Sequence, residues 1–433
     1  MKAYISILAI LLASTAFVAN PPGTDKKLIK QDLPFLVDFY KTRHMNPEIS
    51  LQEKETSKAL AAELEKAGFS VTQNFGGYGI VGVYKNGNGP TILYRTDMDA
   101  LPMYEKTELP YQSKLKASLN GEEVGTMHSC GHDIHMTTWL GTARAMVAMK
   151  DKWKGSLVLI GQPAEEIGAG AKLMLEAGLY EKFGVPNYGI GLHSSPTIQA
   201  GKVGIAKGFV MASSQSVKIN VFGVGSHGAS PQMSIDPIVI TSMLVMELQT
   251  IVSRNLKPTE SAVVTVGTIK GGTVGNIIPD MVTLNLTIRT FKQEVLDMVN
   301  RRIKEIAQGV GMAAGLPEDK WPEVIINDAG PANYNNPAMT ERVTESAIVA
   351  IGKDNVLNEE PVMLSEDFSY YGQTEHKVPT VFYWLGTVPE ERIKSNNLPG
   401  LHSPFYYPQP ELSIETGVTV TTQALLDLFS AKI

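Results

Sequence analysis

Thr126-Met-His-Ser-Cys-Gly-His-Asp-Ile-His135 carries the chain's only cysteine and three of its eight histidines. A single cysteine excludes an internal disulfide framework, so the fold must be held by an apolar core or by bound metal. Cys130 and His132 stand two apart, and in an extended loop their side chains point the same way. A thiolate and an imidazole aimed at one spot suit a borderline-soft divalent metal such as zinc. The pattern after Gly131 predicts a helix from His132 to Met149. The pair then sits at a helix N-terminus, which favours anionic groups. Blander readings stay open: a lone cysteine is most often a small buried hydrophobe, or it is a redox thiol, and two ligands do not make a metal site.

A chain of 433 residues predicts two or three domains. A formal charge of -6 without a basic block argues against nucleic acid as a partner. Lys2 followed by the apolar run Ile5 to Ala19 reads as a signal peptide over residues 1–19, too short for a comfortable membrane span. The expected location is therefore periplasmic or secreted, with no stable membrane span after processing. An uncleaved anchor is the alternative.

Helices are expected over Asp32 to Met45 and Ser50 to Lys66, and strands over Ser70 to Thr72 and Ile80 to Tyr84. Lys85-Asn-Gly-Asn-Gly89 is a strong turn signal. Thr91-Ile-Leu-Tyr94, Ser156-Leu-Val-Leu-Ile160 and Tyr188-Gly-Ile-Gly-Leu192 read as buried strands. Strands alternating with helices indicate an α/β sheet, whose ligands gather at the carboxyl ends of the strands. Asp97, Glu165, Glu166 and His193 are all expected just past such ends. From about Phe209 the texture changes. Val217 to Phe222 alternates apolar with polar, as a half-exposed strand does. Helices over Pro237 to Arg254 and Glu294 to Gly309, with strands at Ala262 to Val266, Val282 to Ile288 and Glu323 to Ile326, predict a compact α+β unit. Helices near Met339 to Ile351 and Glu411 to Phe429, with a strand at Thr380 to Tyr383, complete the chain.

Adjacent Glu165 and Glu166 after a buried strand read alone as a solvated pair or an acidic first helical turn. Beside Cys130, His132 and His193 they acquire another meaning. One carboxylate can ligate a metal while its neighbour serves a water as general base.

The residues now resemble a known family. Arg95-Thr-Asp-Met-Asp-Ala-Leu-Pro102, Met127-His-Ser-Cys-Gly-His-Asp133, Gln162-Pro-Ala-Glu-Glu166 and Gly191-Leu-His193 occur in the order typical of the M20 metallopeptidase and amidohydrolase family. Ser226-His-Gly-Ala-Ser-Pro231, Asn276-Ile-Ile-Pro-Asp280, Ser365-Glu-Asp-Phe368 and Leu401-His-Ser-Pro404 continue the series. The Arg95/Cys130 pairing resembles the branch of amino-acid N-acyl amidohydrolases, such as hippurate hydrolases, auxin-conjugate hydrolases and aminoacylases. The resemblance implies a zinc-peptidase-like catalytic domain, a central mixed sheet flanked by helices, over residues 25–208 and 329–433. It also implies an inserted α+β lid and dimerisation domain over residues 209–328.

By the same resemblance, two divalent ions (Zn, Mn, Co or Ni) would be held by Cys130, His132, Glu166, His193 and His402. Glu165 would be the general base, and Asp97 would support the ligands from behind. His227 would stabilise the oxyanion, often from the partner subunit of a homodimer. Asn276 and Arg289 would hold the substrate carboxylate, while His44, His128 and His135 would be structural. The expected substrate is an N-acyl amino acid or a short peptide, hydrolysed at its amide bond. A dipeptidase or aminopeptidase of the same fold and a non-catalytic exported metal- or peptide-binding protein are the alternatives.

Overall fold

The structure is a computed structural model and describes residues 23–430. The expected signal peptide, residues 1–19, lies outside the described residues. Among the described residues no helix is long and apolar enough to cross a membrane.

The larger layer is an eight-stranded mixed sheet. Its order is Ser70–Thr72, Ile80–Asn86, Gly155–Gln162, Thr91–Asp97, Tyr188–Gln199, Thr380–Val388, Val203–Ile205 and Val356–Asn358. The four central strands run parallel, and Ile80–Asn86 pairs antiparallel with Gly155–Gln162. The turn after Asn86 therefore joins strands that are not neighbours, because Gly155–Gln162 lies between them.

Both faces of this sheet are covered, which explains the near-continuous apolar strands. Ile92, Tyr94, Leu157 and Leu159 point into a core built with the helices Lys26–Met45, His132–Ala148 and Pro410–Ser430. Leu93, Val158 and Ile160 alternate to the other face, against Phe368, Tyr371 and Phe382. Each such side chain fully buried contributes about 1.5–3 kcal/mol.

The smaller sheet orders Ala262–Gly271, Met281–Thr290, Gln215–Phe222 and Glu323–Ile326, all antiparallel. Val217, Ile219, Val221, Leu284, Leu286 and Ile288 line one face and form a core with the helices Pro237–Thr250 and Gln293–Ala313. Lys218 and Asn285, on the opposite face, are exposed.

Several boundaries differ from the sequence expectation. The first helix starts at Lys26 rather than Asp32, because the Asp25 carboxylate caps it by accepting from Lys27 N and Leu28 N. The second starts at Lys54 rather than Ser50. The strand expected to end before His193 runs from Tyr188 to Gln199, so His193 lies inside it. Its pairing with Thr380–Val388 continues through Trp384↔His193 and beyond, which keeps the strand extended.

Candidate metal centre

Three chain segments converge on Cys130. Gly131 follows it with φ 79°, and a Cβ there would stand 2.4 Å from Ser194 Oγ. Only glycine makes this left-handed turn without strain, and it aims Cys130 and His132 into one space. Cys130 Sγ lies 3.4 Å from His193 Nε2. His193 Nδ1 donates to the Ser194 carbonyl at 2.8 Å, and His132 Nδ1 donates to the Asp99 carbonyl at 2.8 Å. Carbonyls only accept, so these bonds turn both Nε2 atoms toward the cluster.

The twin glutamates arrive from the loop after Gly155–Gln162. Ala164 adopts φ 54°, unfavourable for a residue with a Cβ. Buried acids hold the turn: Glu53 Oε1 accepts from Ala164 N at 2.8 Å. Asp99 accepts from Glu165 N at 3.1 Å, Glu166 N at 3.0 Å and Ser50 Oγ at 2.6 Å. His402 also has φ 61°, and its N donates to the Ser129 carbonyl at 3.0 Å, which ties its distant loop to the Cys130 loop. His402 Nε2 then reaches Glu166 Oε2 at 3.2 Å.

The donor atoms of Cys130, His132 and His193 lie within 4.8 Å of one another, as do those of Cys130, Glu166 and His402, and those of His132, Glu165 and Glu166. His132 Nε2 and Glu166 Oε1 are 3.8 Å apart, and both are buried without a hydrogen-bond partner. Leaving such atoms unmatched costs free energy unless a third group satisfies both. A soft sulfur, imidazole nitrogens and a carboxylate fit a divalent cation in that position.

The electrostatics favour positive charge there. Burial and the Glu166 carboxylate push the Cys130 thiol up. Burial pulls the His132 imidazole down, but Asp97, Asp99 and the Cys130 side chain prevail and hold it well above the ordinary histidine value. Burial, Glu366 and Glu166 raise Glu165 well above the ordinary carboxylate range, so its carboxylate is a strong proton acceptor.

Four residues without a role in the sequence reading belong to the site. Asp99 fixes His132 through its carbonyl and the twin glutamates through its carboxylate. Arg95 is buried, with Nη1 2.7 Å from Asp97 and Nη2 2.7 Å from Glu366 and 2.9 Å from Asp367. Glu366 and Asp367 have oxygens within 4.8 Å of the Glu165 carboxylate. Burial lifts Glu366 to about 8 in spite of Arg95. The block Ser365-Glu-Asp-Phe368 was the available signal, but nothing local to it reveals a partner 271 residues away. His135, expected to be structural, braces the cluster. Its Nδ1 donates to Asp97 Oδ1 and its Nε2 accepts from Ser194 N, each at 2.7 Å. Asp97 thus reaches both His135, at 2.7 Å, and His132 Nε2, at 3.6 Å.

A cavity of about 560 Å³ opens over this cluster and is lined by Cys130, Glu165, Glu166, His193, His402 and Arg289 among others. Arg289 donates to Ser214 Oγ and, among the described residues, pairs with no acidic side chain. His227 and Asn276 do not line it. The strand pairing His227↔Ile277 sets them side by side on an exposed ribbon of the smaller sheet unit. His227 Nδ1 there accepts from Ala229 N at 3.0 Å.

The chain is 38% identical to a hippurate hydrolase of Campylobacter jejuni, over 79% of this chain and 87% of that protein. It is 38% identical to an N-acetyl-L-cysteine deacetylase of Bacillus subtilis, over 81% of this chain and 80% of that one. Among solved structures, a dinuclear-metal-binding peptidase of the M20 family from Bacillus subtilis superposes with a TM-score of 0.74 at 29% identity, covering 94% of this chain and 98% of the other. The sequence profile of peptidase family M20/M25/M40 matches residues 93–427, and the chain belongs to that family.

Proposed function

We propose that the protein is an exported, dinuclear metal-dependent amidohydrolase that cleaves the amide bond of N-acyl or N-aroyl amino acids or short peptides. One observation carries the reading: the donor atoms of Cys130, His132, Glu166, His193 and His402 gather in overlapping groups within 4.8 Å, and beside them the buried Glu165 carboxylate, raised well above the ordinary range, lines the same cavity. Simple metal storage needs no such base. The relatives named as a hippurate hydrolase and a deacetylase support the substrate class.

Cys130, His132, Glu166, His193 and His402 would hold two divalent ions, drawn from Zn, Mn, Co or Ni. When bound, such ions acidify a water and polarise the amide carbonyl. Glu165 takes the proton from the attacking water and delivers it to the departing amine. Arg289 on the cavity wall pairs with the substrate carboxylate. His227 and Asn276 serve the site from a second copy of the chain, His227 by donating to the oxyanion, a contribution typically worth about 3 kcal/mol.

Dimerisation through the unit at 209–328, which we take as the inserted lid, has its own support. The helix Pro237–Thr250 buries Ile240, Leu244 and Leu248 yet leaves Val239, Met243 and Met246 exposed, the last at 70%. A helix apolar on both sides is one that packs on both sides. The strand Ala262–Gly271 is beside it at the sheet edge.

The deciding experiment is hydrolysis of a panel of N-acyl amino acids and free-amine dipeptides, with chelation and metal add-back. Acylated amino acids should be cleaved in preference, and chelation should stop turnover. Glu165→Gln should lower kcat by about 10²–10⁴-fold with metal content unchanged. Full activity in that variant would remove Glu165 from the base role, and preference for free-amine dipeptides would favour the peptidase reading.

A further inference from the structure

A second cavity of about 590 Å³ lies at the joint between the two sheet units. It is as large as the one over the metal cluster, and the function proposed above makes no use of it. The two cavities share one thin wall. Ser214 and Arg289 line the metal-side cavity, while their neighbours Ser213 and Thr290 line the other. Gly330 and Pro331 line both. Extended chains alternate their side chains between faces, so this wall is a single layer of backbone. It is knitted by Ser213 N to the Thr290 carbonyl at 2.7 Å and by reciprocal bonds between Ser214 and Gly330 at 3.0 and 2.9 Å.

The lining of the second cavity is chemically specific. Phe209 sits 5.5 Å from Phe291 and 5.1 Å from Tyr334, centroid to centroid, and forms an aromatic corner. Lys377 and Lys292 bring cations to the lining, which also takes in the first turn of the long helix Gln293–Ala313. Lys292 is engaged by Glu260 at 2.7 Å. Lys377, among the described residues, has no acidic partner. Glu294 is the one acid among the lining residues. An aromatic corner and a free ammonium in one lining match a flat ring carrying a carboxylate.

We propose that this joint cavity is a binding site for a small aromatic carboxylate, separate from the metal centre. The ligand's ring packs on Phe209, Phe291 and Tyr334, and its carboxylate pairs with Lys377. Because the wall it touches carries Arg289 on its far face, occupancy is communicated to the substrate-carboxylate position by one layer of backbone. An aryl acid and an aromatic amino acid share this chemistry, and Glu294 would favour the latter by meeting its ammonium group.

The test is ¹⁹F NMR titration of the metal-loaded protein with 4-fluorobenzoate and, separately, 4-fluorophenylalanine; 4-fluorobenzamide is the uncharged control. Tyr334→Ala combined with Lys377→Gln changes two exposed side chains outside the metal cluster. We expect at least one of the two acids to occupy two sites per chain, one of which weakens tenfold or more in the double variant while turnover is unchanged. The control amide should not fill that site. One site per chain for both acids, unaltered binding in the double variant, or equal binding of the amide would each overturn the proposal. Arg289→Ala provides an independent check, because it should spare the joint site while weakening binding on the metal side. If the Arg289 change abolishes all binding, the second site does not exist.

Discussion

Replacing Asp99 by asparagine would keep the shape of the side chain and remove one of its two acceptor oxygens. Asp99 takes both glutamate backbone N–H groups, and its carbonyl takes His132. The amide can satisfy only one of Glu165 N and Glu166 N, so the strained turn at Ala164 loses a restraint while His132 keeps its own. Metal affinity or kcat should fall about 10–100-fold, the range for partners that orient ligands, with KM little changed and circular dichroism unaltered. Equal kcat and metal affinity in Asp99→Asn would show that the turn holds itself. This is also the scale at which the sequence was least legible. Cys130, His132, Glu165, Glu166, His193 and His402 each sit in a block that can be read in a line of sequence. Asp99, Arg95 and Asp367 act through partners that only folding brings near, such as the Gln162–Asp367 bond across 205 residues. His128 shows the converse: it stands beside Cys130 and His132 in sequence, but both its ring nitrogens are buried without partners among the described residues.

Among the elements, the helix Lys26–Met45 is joined to the helix His132–Ala148 by a buried charged knot. His44 Nδ1 lies 2.7 Å from Asp133, next in sequence to His132, and its Nε2 lies 3.1 Å from Glu105. Burial disfavours the imidazolium, but hydrogen bonds to Asp133 and Glu105 outweigh it and raise His44 to about 9. An unfolded histidine titrates near 6.5, so the folded state binds the proton more tightly. The stabilisation is therefore complete below about pH 6.5 and fades as pH rises through about 9, with a magnitude on the order of 3 kcal/mol. Melting temperatures of the wild type should fall between pH 6 and 9.5 more steeply than those of His44→Gln. Parallel curves would mean that His44 carries no extra proton in the fold. Apolar periodicity located these helices because it reflects burial directly. It placed their ends poorly, because a cap such as Asp25 or a sheet partner such as Thr380–Val388 decides where an element stops.

At the level of the whole molecule, His227 and Asn276, in blocks as typical as those of Cys130 and His402, stand on an exposed ribbon and do not line the cavity that Arg289 lines. The proposed homodimer answers this by delivering them to the other subunit's site, and it also covers Val239, Met243 and Met246, whose exposure is costly for an isolated chain. The idea has a genetic-style test that does not depend on seeing the interface. Glu165→Gln and His227→Ala subunits should each be nearly inactive alone. Mixed under conditions that allow subunits to exchange, half the dimers become hybrids. In each hybrid one site combines the intact Glu165 of one chain with the intact His227 of the other, so activity should recover to about a quarter of the wild-type level. If His227 acted on its own chain's site, no arrangement of the two variants would contain an intact pair, and mixing would restore nothing. Recovery that disappears when Met246→Glu is placed in both chains, with each subunit still folded, would assign the exchange to the outer face of the Pro237–Thr250 helix.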